Sequence, residues 1–259
     1  MNKGLDFSGK RVLVTGASHG IGAAVALAFA EAGADLTVLS SSADIKETAR
    51  EISAKVMRPV AAEICDITDR ARVRQVVGAL GRLDVLVNNA GLELITPMME
   101  PGDEVEKTFE RIIQINVIGT YYVTRDALKL MGPGGKIVIT ASVWAKSAAP
   151  EFAAYITSKH ANIGFMRTLA RELGPRGINV NAICPGWVKT RAALRSLGEM
   201  SKRTGRSENE ILEGILDTQA LGGLMEPADV ASLYLFLASE LANNITGQAY
   251  SVDRGEVLS

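Results

Sequence analysis

The sequence predicts an α/β fold, a doubly wound parallel sheet of about seven strands with helices on both faces. Short β-branched runs alternate with longer segments of helical spacing, which is typical of βαβ units. The strand candidates are almost continuously apolar, as expected for strands that helices cover on both faces. The 259 residues contain no repeat, linker or change in composition, so we expect one domain over residues 1–259.

The elements alternate in a regular order along the chain. Strands are predicted at 11–15, 36–39, 60–63, 85–87, 136–141, 179–183 and 249–252. Helices are predicted at 23–32, 45–56, 70–80, 105–131, 153–173 and 228–241. The first helix illustrates the spacing that identifies helices, because Val25 and Phe29 are separated by one helical turn and share a face.

One segment, 189–219, departs from this alternation. It follows a strand but is polar, and its cations precede most of its acids. Two interpretations stay open. The segment is either a solvated helical pair or a mobile lid over a substrate, since long segments at the carboxyl edge of a parallel sheet often cover the site.

Charge and composition exclude several classes of partner. Lys and Arg number 28 against 29 Asp and Glu, a net charge of −1, which argues against binding to nucleic acid or to a membrane surface. The apolar run 21–30 is far shorter than the roughly 20 residues that cross a bilayer. The first residues lack the apolar centre of a secretory signal, so a cytoplasmic location is expected. Cys65 and Cys184 are expected to be reduced and buried, and no metal site is predicted from two histidines, His19 and His160.

A glycine-rich turn, TGASHGIG at 15–22, follows the first strand candidate and opens the first helix. Glycines there let the backbone approach a pyrophosphate, and the helix N-terminus offers unpaired N–H groups. A purely structural turn is the alternative, because the spacing differs from G-x-G-x-x-G. The turn also contains the hydrolase motif G-x-S-x-G, but too little chain precedes Gly16, no HGGG-type motif is present, and His160 is the sole downstream histidine.

A tyrosine and a lysine share one face of the helix predicted at 153–173. Tyr155 and Lys159 are separated by one helical turn. An ammonium beside a phenol favours the phenolate, and a tyrosine whose pKa is lowered can exchange a proton with a carbonyl or alcohol oxygen. Taken alone, a surface pair explains these residues better, so the interpretation depends on the neighbouring motifs.

Polar and glycine motifs follow several strand candidates at the edge where open α/β sheets bind ligands. Ser142 follows the fifth strand candidate, residues 88–91 (NNAG) follow the fourth, and Pro185 and Gly186 follow the sixth. Asn116 lies in a helical stretch, where a buried amide needs hydrogen-bond partners. All of these motifs are therefore expected to fall on one edge of the predicted sheet.

With these motifs the chain resembles the short-chain dehydrogenase/reductase family over essentially its whole length. The matching residues are the turn 15–22, Asp66, Ile67, Asn88, Asn89, Ala90, Gly91, Asn116, Ser142, Tyr155, Lys159, Cys184, Pro185, Gly186, residues 245–248, Val252 and Asp253. The resemblance implies a Rossmann-type dinucleotide-binding and catalytic domain. It also implies an NAD(P)-dependent oxidoreductase that interconverts a secondary alcohol and a ketone by hydride transfer.

The resemblance implies a role for each of four catalytic candidates. Tyr155 would be the general acid/base, and Lys159 would lower its pKa and bind the nicotinamide ribose. Ser142 would polarise the substrate oxygen, and Asn116 would hold a water that links Lys159 to solvent. The implied cofactor contacts are Gly16, Ser18, His19, Gly20, Ile21, Gly22, Ser40, Ser41, Asp66 (to adenine), Ile67, Asn88, Ala90, Gly91, Tyr155, Lys159, Pro185, Gly186 and Val188.

The end of the second strand candidate favours NADP(H) modestly, with NAD(H) as the alternative. A preference for NAD rests on an acidic residue there, which binds the ribose 2′-OH and repels a 2′-phosphate. Ser40 occupies that position, Ser41 and Ser42 follow it, and the first acid is Asp44. In the family, members that prefer NADP often carry Arg or Lys at the position of His19. No arginine follows Ser40 to hold the phosphate, which keeps the predicted preference small.

The candidate substrate contacts are Glu93, Trp144, Trp187 and Arg191. Glu93 is either a solvent-facing carboxylate or a contact for a hydroxyl-rich or cationic substrate, and Trp187 either caps a ring or packs in the interior. A sugar, polyol or 3-hydroxy acid is the favoured substrate, and a 3-oxoacyl-thioester, steroid or quinone reductase is the alternative. A non-catalytic nucleotide-sensing protein is the alternative of a different class, but such a protein would be expected to lack the Tyr or the Lys.

The resemblance further implies a homotetramer, or at least a dimer. Family members pair through the helices that correspond to 105–131 and 153–173. The first of these is apolar on more than one side, as Ile112, Ile113, Ile115, Val117 and Ile118 illustrate, which fits burial on two faces. Arg254 replaces a family glycine and would alter a subunit contact or reach toward the substrate.

Overall fold

The computed structural model describes residues 5–258, and within them one sheet contains seven strands. The strands are β1 (Arg11–Thr15), β2 (Asp35–Ser40), β3 (Ala61–Ile64), β4 (Val85–Asn88), β5 (Lys136–Thr140), β6 (Asn179–Pro185) and β7 (Ala249–Val252). All neighbouring strands are parallel, in the order β3-β2-β1-β4-β5-β6-β7. The predicted fold class is therefore confirmed.

Nine α-helices lie in the described part of the chain. They are α1 (Gly20–Glu31), α2 (Ile45–Val56), α3 (Arg70–Gly78), α4 (Asp103–Ile113), α5 (Thr120–Ala127), α6 (Ala153–Leu173), α7 (Arg191–Thr204), α8 (Glu208–Leu216) and α9 (Pro227–Ala238). None of the described helices is long and apolar enough to cross a membrane.

Alternate residues of the central strand β1 face two separate cores. Val12 and Val14 pack with side chains of α1, α2 and α9, whereas Leu13 packs with side chains of α3, α5 and α6. This division follows from the strand period of two, which sends successive side chains to opposite faces. Helices cover both faces of the sheet, so its edge at the carboxyl ends of the strands is where a ligand can reach the backbone.

The strand order reverses between β1 and β4, and this reversal positions the site. From β1 the chain winds outward to β2 and β3, then returns to β4 on the other side of β1. The connections after β1 and β4 therefore diverge and leave a crevice at the carboxyl edge, where open α/β sheets bind ligands.

The helix predicted at 105–131 is not one regular helix. It consists of α4, a π-helical segment at Gln114–Gly119, and α5, which ends at Ala127. A π-helical segment is a wider turn inserted into an α-helix, and the helix continues in the same direction after it. The spacing of apolar residues therefore does not reveal it. The displaced residues include Asn116, whose hydrogen bonds are described below.

Residues 189–219 form the helical pair α7 and α8, one of the two interpretations of the sequence. Thr190 caps α7, since its hydroxyl accepts a hydrogen bond from the Ala193 N–H at 3.1 Å. Ser207 and Glu210 form a capping box at the start of α8. The lid role of this segment stays a proposal. Cys65 and Cys184 are buried and unpaired, as predicted.

Asp126 of α5 anchors a small ion cluster under the surface. Its carboxylate is 4% exposed, is paired with Arg70, and accepts from Lys129 Nζ at 2.6 Å. The Arg70 hydrogen bond lowers the pKa of Asp126 to about 2, from an ordinary value of 3.8. The contribution of this carboxylate to stability is therefore complete above pH 3.8 and lost as the pH falls toward 2.

We expect Asp126→Asn to destabilise the chain by about 2 kcal/mol at pH 7. The value lies below the about 3–5 kcal/mol of a fully buried pair, because both cations keep solvent contact. Urea unfolding followed by circular dichroism at pH 7 and pH 3 checks it. The difference between variant and wild type should shrink at pH 3, and equal midpoints at pH 7 would show that the cluster adds nothing.

Candidate active site

The turn between β1 and α1 is held closely against the end of β4. Thr15 Oγ1 accepts hydrogen bonds from the N–H groups of Asn89 (3.0 Å) and Ala90 (2.9 Å). The Asn89 amide donates in return to the carbonyls of Thr15 (3.2 Å) and Gly16 (3.1 Å). The two connections at the crevice therefore form one rigid unit.

Two glycines of this turn have no room for a side chain. A Cβ on Gly16, whose φ is +64°, would lie 2.6 Å from Ala90 Cα. A Cβ on Gly22 would lie 2.3 Å from the Gly16 carbonyl oxygen. The side chain of His19 makes no hydrogen bond that caps α1, so the first N–H groups of this helix are open to an anion. The backbone thus provides a cradle that fits the pyrophosphate of a dinucleotide.

Hydroxyl groups line the crevice where β2 ends. Ser40 Oγ is 3.1 Å from Ser18 Oγ and accepts from the Ser42 N–H at 3.2 Å, whereas Ser41 is exposed. Asp66 lies just beyond β3, and its Oδ1 accepts from the backbone N–H and the hydroxyl of Thr68, each at 2.8 Å. These groups offer polar contacts to a ribose and a base on this side of the crevice.

Helix α6 and the end of β5 bring Ser142, Tyr155 and Lys159 to one wall of an open cavity of about 200 Å³. Lys159 Nζ donates to the Thr140 carbonyl at 2.8 Å and lies 5.4 Å from the centre of the Tyr155 ring. Ser142 Oγ accepts from the Trp144 N–H at 3.2 Å. The three side chains therefore face the same space at the carboxyl edge of the sheet.

Burial determines the protonation states at this wall. It raises the pKa of the Tyr155 phenol, the Glu93 carboxylate raises it further, and a hydrogen bond with Ser142 opposes both. Burial also lowers the pKa of Lys159, to about 8. The pKa of Tyr155 is therefore raised, not lowered as expected from an adjacent ammonium, because burial is the largest influence on it. Tyr155 is protonated at neutral pH and is ready to donate.

Asn116 does not line the cavity, but it forms hydrogen bonds with two segments that do. Its amide Oδ1 accepts from the Leu92 N–H at 2.7 Å, and its Nδ2 donates to the Leu92 carbonyl and to Ser158 Oγ, both at 2.9 Å. Ser158 in turn donates to the Tyr155 carbonyl at 2.7 Å. The π-helical turn thereby joins the loop after β4 to the first turns of α6.

The cavity gathers most of the predicted catalytic, nicotinamide-side and substrate residues. Its lining includes Ile21, Gly91, Glu93, Ser142, Trp144, Tyr155, Lys159, Pro185, Gly186, Trp187 and Val188. Sequence reasoning missed eight further lining residues as site residues, of which three are polar: Asn89, Thr140 and Thr190. Asn89 belongs to a motif already singled out, and Thr190 is recognisable as a helix cap, so both left a signal in the sequence.

Two predicted cofactor contacts turn their side chains into the interior. The Asn88 amide donates to Thr124 Oγ1 at 2.9 Å and thus joins β4 to α5. Ile67 packs against Gly119, where an added Cβ would lie 2.6 Å from Ile67 Cγ1. Both side chains are buried in contacts with other parts of the protein. Asn88 and Ile67 can therefore contact a cofactor only through their backbone atoms.

The candidate substrate residues divide into three that face the cavity and one that does not. The indole rings of Trp144 and Trp187 meet edge to face at 6.3 Å, and Trp144 meets the Tyr155 ring at 6.1 Å. Glu93 is half-buried and accepts a hydrogen bond from Ser196 of α7, and burial raises its pKa. The interpretation of Glu93 as a solvent-facing carboxylate is therefore wrong, because this side chain lines the cavity.

The prediction that Arg191 contacts the substrate is not supported by its position. Its guanidinium lies against His19, on the other side of the turn, while Ala192 and Ala193 line the cavity. Successive residues of a helix point about 100° apart, so the first turn of α7 divides its side chains between two spaces. Arg254, with a φ of +55°, donates to the Gly222 carbonyl at 2.8 Å and is not part of the cavity lining.

Comparison with known proteins identifies the family. A family model described as enoyl-(acyl carrier protein) reductase matches residues 16–256. A short-chain dehydrogenase/reductase of Armillaria gallica is 36% identical, over 96% of this chain and 97% of that protein. A 3-oxoacyl-[acyl-carrier-protein] reductase of Rickettsia conorii is 32% identical, over 98% of this chain and 99% of that protein.

A solved structure shows the same similarity in three dimensions. The crystal structure of L-sorbose reductase from Gluconobacter frateurii, complexed with NADPH and L-sorbose, superposes with a TM-score of 0.89. It is 30% identical and covers 98% of this chain and 99% of that one. The chain therefore belongs to the short-chain dehydrogenase/reductase family of NAD(P)-dependent oxidoreductases.

Proposed function

We propose that this protein interconverts a secondary alcohol and a ketone on a sugar, a polyol or a 3-hydroxy acid, with NADP(H) as the preferred cofactor. One observation carries the proposal. Ser142, Tyr155 and Lys159 share a cavity wall beside a glycine cradle that excludes side chains. A proton donor and a dinucleotide site are thus adjacent, as hydride transfer to a carbonyl requires.

Each residue of the wall has a separate task in the proposed reaction. A bound nicotinamide would supply or accept the hydride. The Tyr155 hydroxyl donates a proton to the carbonyl oxygen in reduction and accepts it back in oxidation, and Ser142 orients that oxygen. Lys159 stabilises the phenolate that remains after donation. Asn116 is a positioning residue in this scheme, because it supports the Leu92 loop and the first turns of α6.

The cavity favours a substrate with hydroxyl groups. Glu93 places a hydrogen-bond acceptor in a cavity that the indole rings of Trp144 and Trp187 also line. A sugar offers hydroxyl donors to such a carboxylate and an apolar ring face to an indole. The similarity to an L-sorbose reductase supports this choice. Reduction of a 3-oxoacyl thioester is the second candidate, and it is supported by the similarity to the Rickettsia reductase.

A substrate panel tests the proposal. L-Sorbose and other ketoses, polyols, 3-hydroxybutyrate and an acetoacetyl thioester are each assayed with both cofactors by the absorbance of reduced nicotinamide. Turnover of ketoses or polyols would support the proposal, and the highest kcat/KM on the thioester would favour the second candidate. Cofactor binding without turnover of any alcohol or ketone would indicate a non-catalytic nucleotide sensor.

We expect kcat/KM to be higher with NADP(H) than with NAD(H). No acidic side chain replaces Ser40 at the end of β2, so nothing at that position repels a 2′-phosphate. The ratio of kcat/KM for the two cofactors, measured on the best substrate, checks this. A ratio that favours NAD by more than about tenfold, or about 1.4 kcal/mol, would contradict it.

We also expect a homotetramer. Of the apolar residues predicted to occupy two faces, Ile112 is buried, whereas Ile113, Ile115, Val117 and Ile118 stay half-buried in the single chain. Tyr121 is 38% exposed and stacks edge to face with Phe165 of α6 at 6.3 Å. Light scattering at micromolar concentration should give four times the chain mass, or at least twice the chain mass, and a monomer would contradict the proposal. The cytoplasmic location stays a prediction.

A further inference from the structure

Arg191, His19 and Asp44 form a charged cluster beside the glycine turn. Arg191 Nη1 is 3.1 Å from His19 Nε2, and the same imidazole nitrogen is 3.0 Å from Asp44 Oδ2. Arg191 Nη1 is also 4.0 Å from Asp44 Oδ2. The three residues come from the start of α7, the glycine turn and the residue before α2, so the tertiary fold alone brings them together.

The internal contacts of this cluster cannot all be good hydrogen bonds. The imidazole Nε2 donates to Asp44 only when it carries a proton, and it accepts from Arg191 only when it does not. The side chains of Arg191, Asp44 and His19 are 77%, 55% and 34% exposed, and ion pairs with this exposure contribute little to stability. A contribution to stability therefore does not explain why these three residues lie together. Two cationic or donor groups are available there to bind an anion.

The cluster lies where the adenosine ribose of a dinucleotide is expected. His19 directly follows Ser18, whose hydroxyl is 3.1 Å from that of Ser40 at the end of β2. The end of the second strand is the position that meets the 2′ substituent of the ribose. Arg191 contacts His19, the residue after Ser18, so its guanidinium can compensate for the missing arginine after Ser40.

We propose that Arg191, the first residue of α7, binds the 2′-phosphate of NADP(H), with His19 and the Ser40 hydroxyl as its partners. The proposal rests on the proposed function, in that it requires a dinucleotide in the crevice. A planar guanidinium suits a phosphate because it donates two parallel hydrogen bonds. Asp44 offsets part of this charge, so we expect a modest rather than a strong preference for NADP(H).

This assignment couples cofactor choice to the substrate cavity. Thr190, Ala192 and Ala193 line the cavity on either side of Arg191 in sequence. One turn further along α7, Ser196 donates to Glu93 inside the cavity. A phosphate held by Arg191 therefore holds the first turn of α7 over the substrate. NADP⁺ should slow amide hydrogen exchange in the Arg191–Thr204 helix more than NAD⁺ does.

Calorimetric binding to the full chain tests the assignment without any turnover. The ligands are NADP⁺ and NAD⁺, together with adenosine 2′,5′-bisphosphate and 5′-AMP, which differ only by the phosphate in question. Arg191→Ala should raise the Kd of NADP⁺ and of the bisphosphate about tenfold and leave those of NAD⁺ and 5′-AMP within about twofold. Lys202→Ala is the matched control, since it removes the same charge from the far end of α7, where the side chain is 73% exposed.

The outcomes separate this inference from the proposed function. Unchanged NADP⁺ binding in Arg191→Ala, or equal weakening of both cofactors, would overturn the assignment while leaving a dinucleotide-binding protein. Equal protection of α7 by NADP⁺ and NAD⁺ in hydrogen exchange would overturn the coupling. Failure of the wild-type chain to bind either cofactor would instead overturn the proposed function.

Discussion

Replacing Tyr155 by phenylalanine is expected to lower kcat for carbonyl reduction by at least about 100-fold, or about 2.7 kcal/mol. The substitution removes the hydroxyl that donates the proton and keeps the ring, so the edge-to-face contact with Trp144 is retained. The Kd of the cofactor should stay within about twofold, since the glycine cradle is untouched. Saturating substrate in the assay separates a loss of catalysis from a loss of binding.

Tyr250→Phe is the control for Tyr155→Phe. Tyr250 lies on β7 and is not part of the cavity lining, so loss of its hydroxyl should leave kcat unchanged. In the oxidation direction, the wild-type rate should rise with pH, because a phenol with a raised pKa is deprotonated only in alkaline solution. Retained turnover in Tyr155→Phe at saturating substrate would remove this residue from the mechanism.

Replacing Gly22 by alanine, which adds one methyl group, is expected to weaken cofactor binding by nearly as large a factor as Tyr155→Phe lowers kcat. An alanine Cβ there would lie 2.3 Å from the Gly16 carbonyl oxygen and 2.4 Å from Asn89 Nδ2. The turn must move away from the end of β4, at a cost of about 2 kcal/mol, typical of overpacking. We expect a Kd for the cofactor about 30-fold higher, together with a lower Tm. Calorimetry and thermal unfolding measure the two effects.

Gly78→Ala is the matched control for Gly22→Ala. Gly78 also lies in a helix, but a Cβ added there would meet no atom within 4 Å. Its replacement should therefore be neutral or slightly stabilising, because alanine favours a helix over glycine by up to about 1 kcal/mol. If Gly22→Ala behaves like Gly78→Ala in both measurements, the close approach of the turn to β4 is not essential.

The local pattern of the sequence was sufficient for most of the elements and for the site motifs. Short β-branched runs and helical spacing place β1, β7, α2 and α6 at the residues where they occur. The parallel direction of the strands follows from the alternation of strands and helices. It places Ser142 at the carboxyl edge of the sheet, where α6 with Tyr155 and Lys159 begins. These features depend on residues close in sequence, so the sequence alone determined them.

Contacts between distant parts of the chain decided the rest. Glu93 is half-buried, and its hydrogen-bond donor Ser196 is 103 residues away in the sequence. Arg191 faces His19, 172 residues away, because α7 folds back across the glycine turn. Burial reverses the expected direction of the Tyr155 pKa, and the wider turn at Asn116 accompanies its bonds to Leu92 and Ser158. Periodicity carries no information on such neighbours, since desolvation and hydrogen bonding are set only when the elements pack.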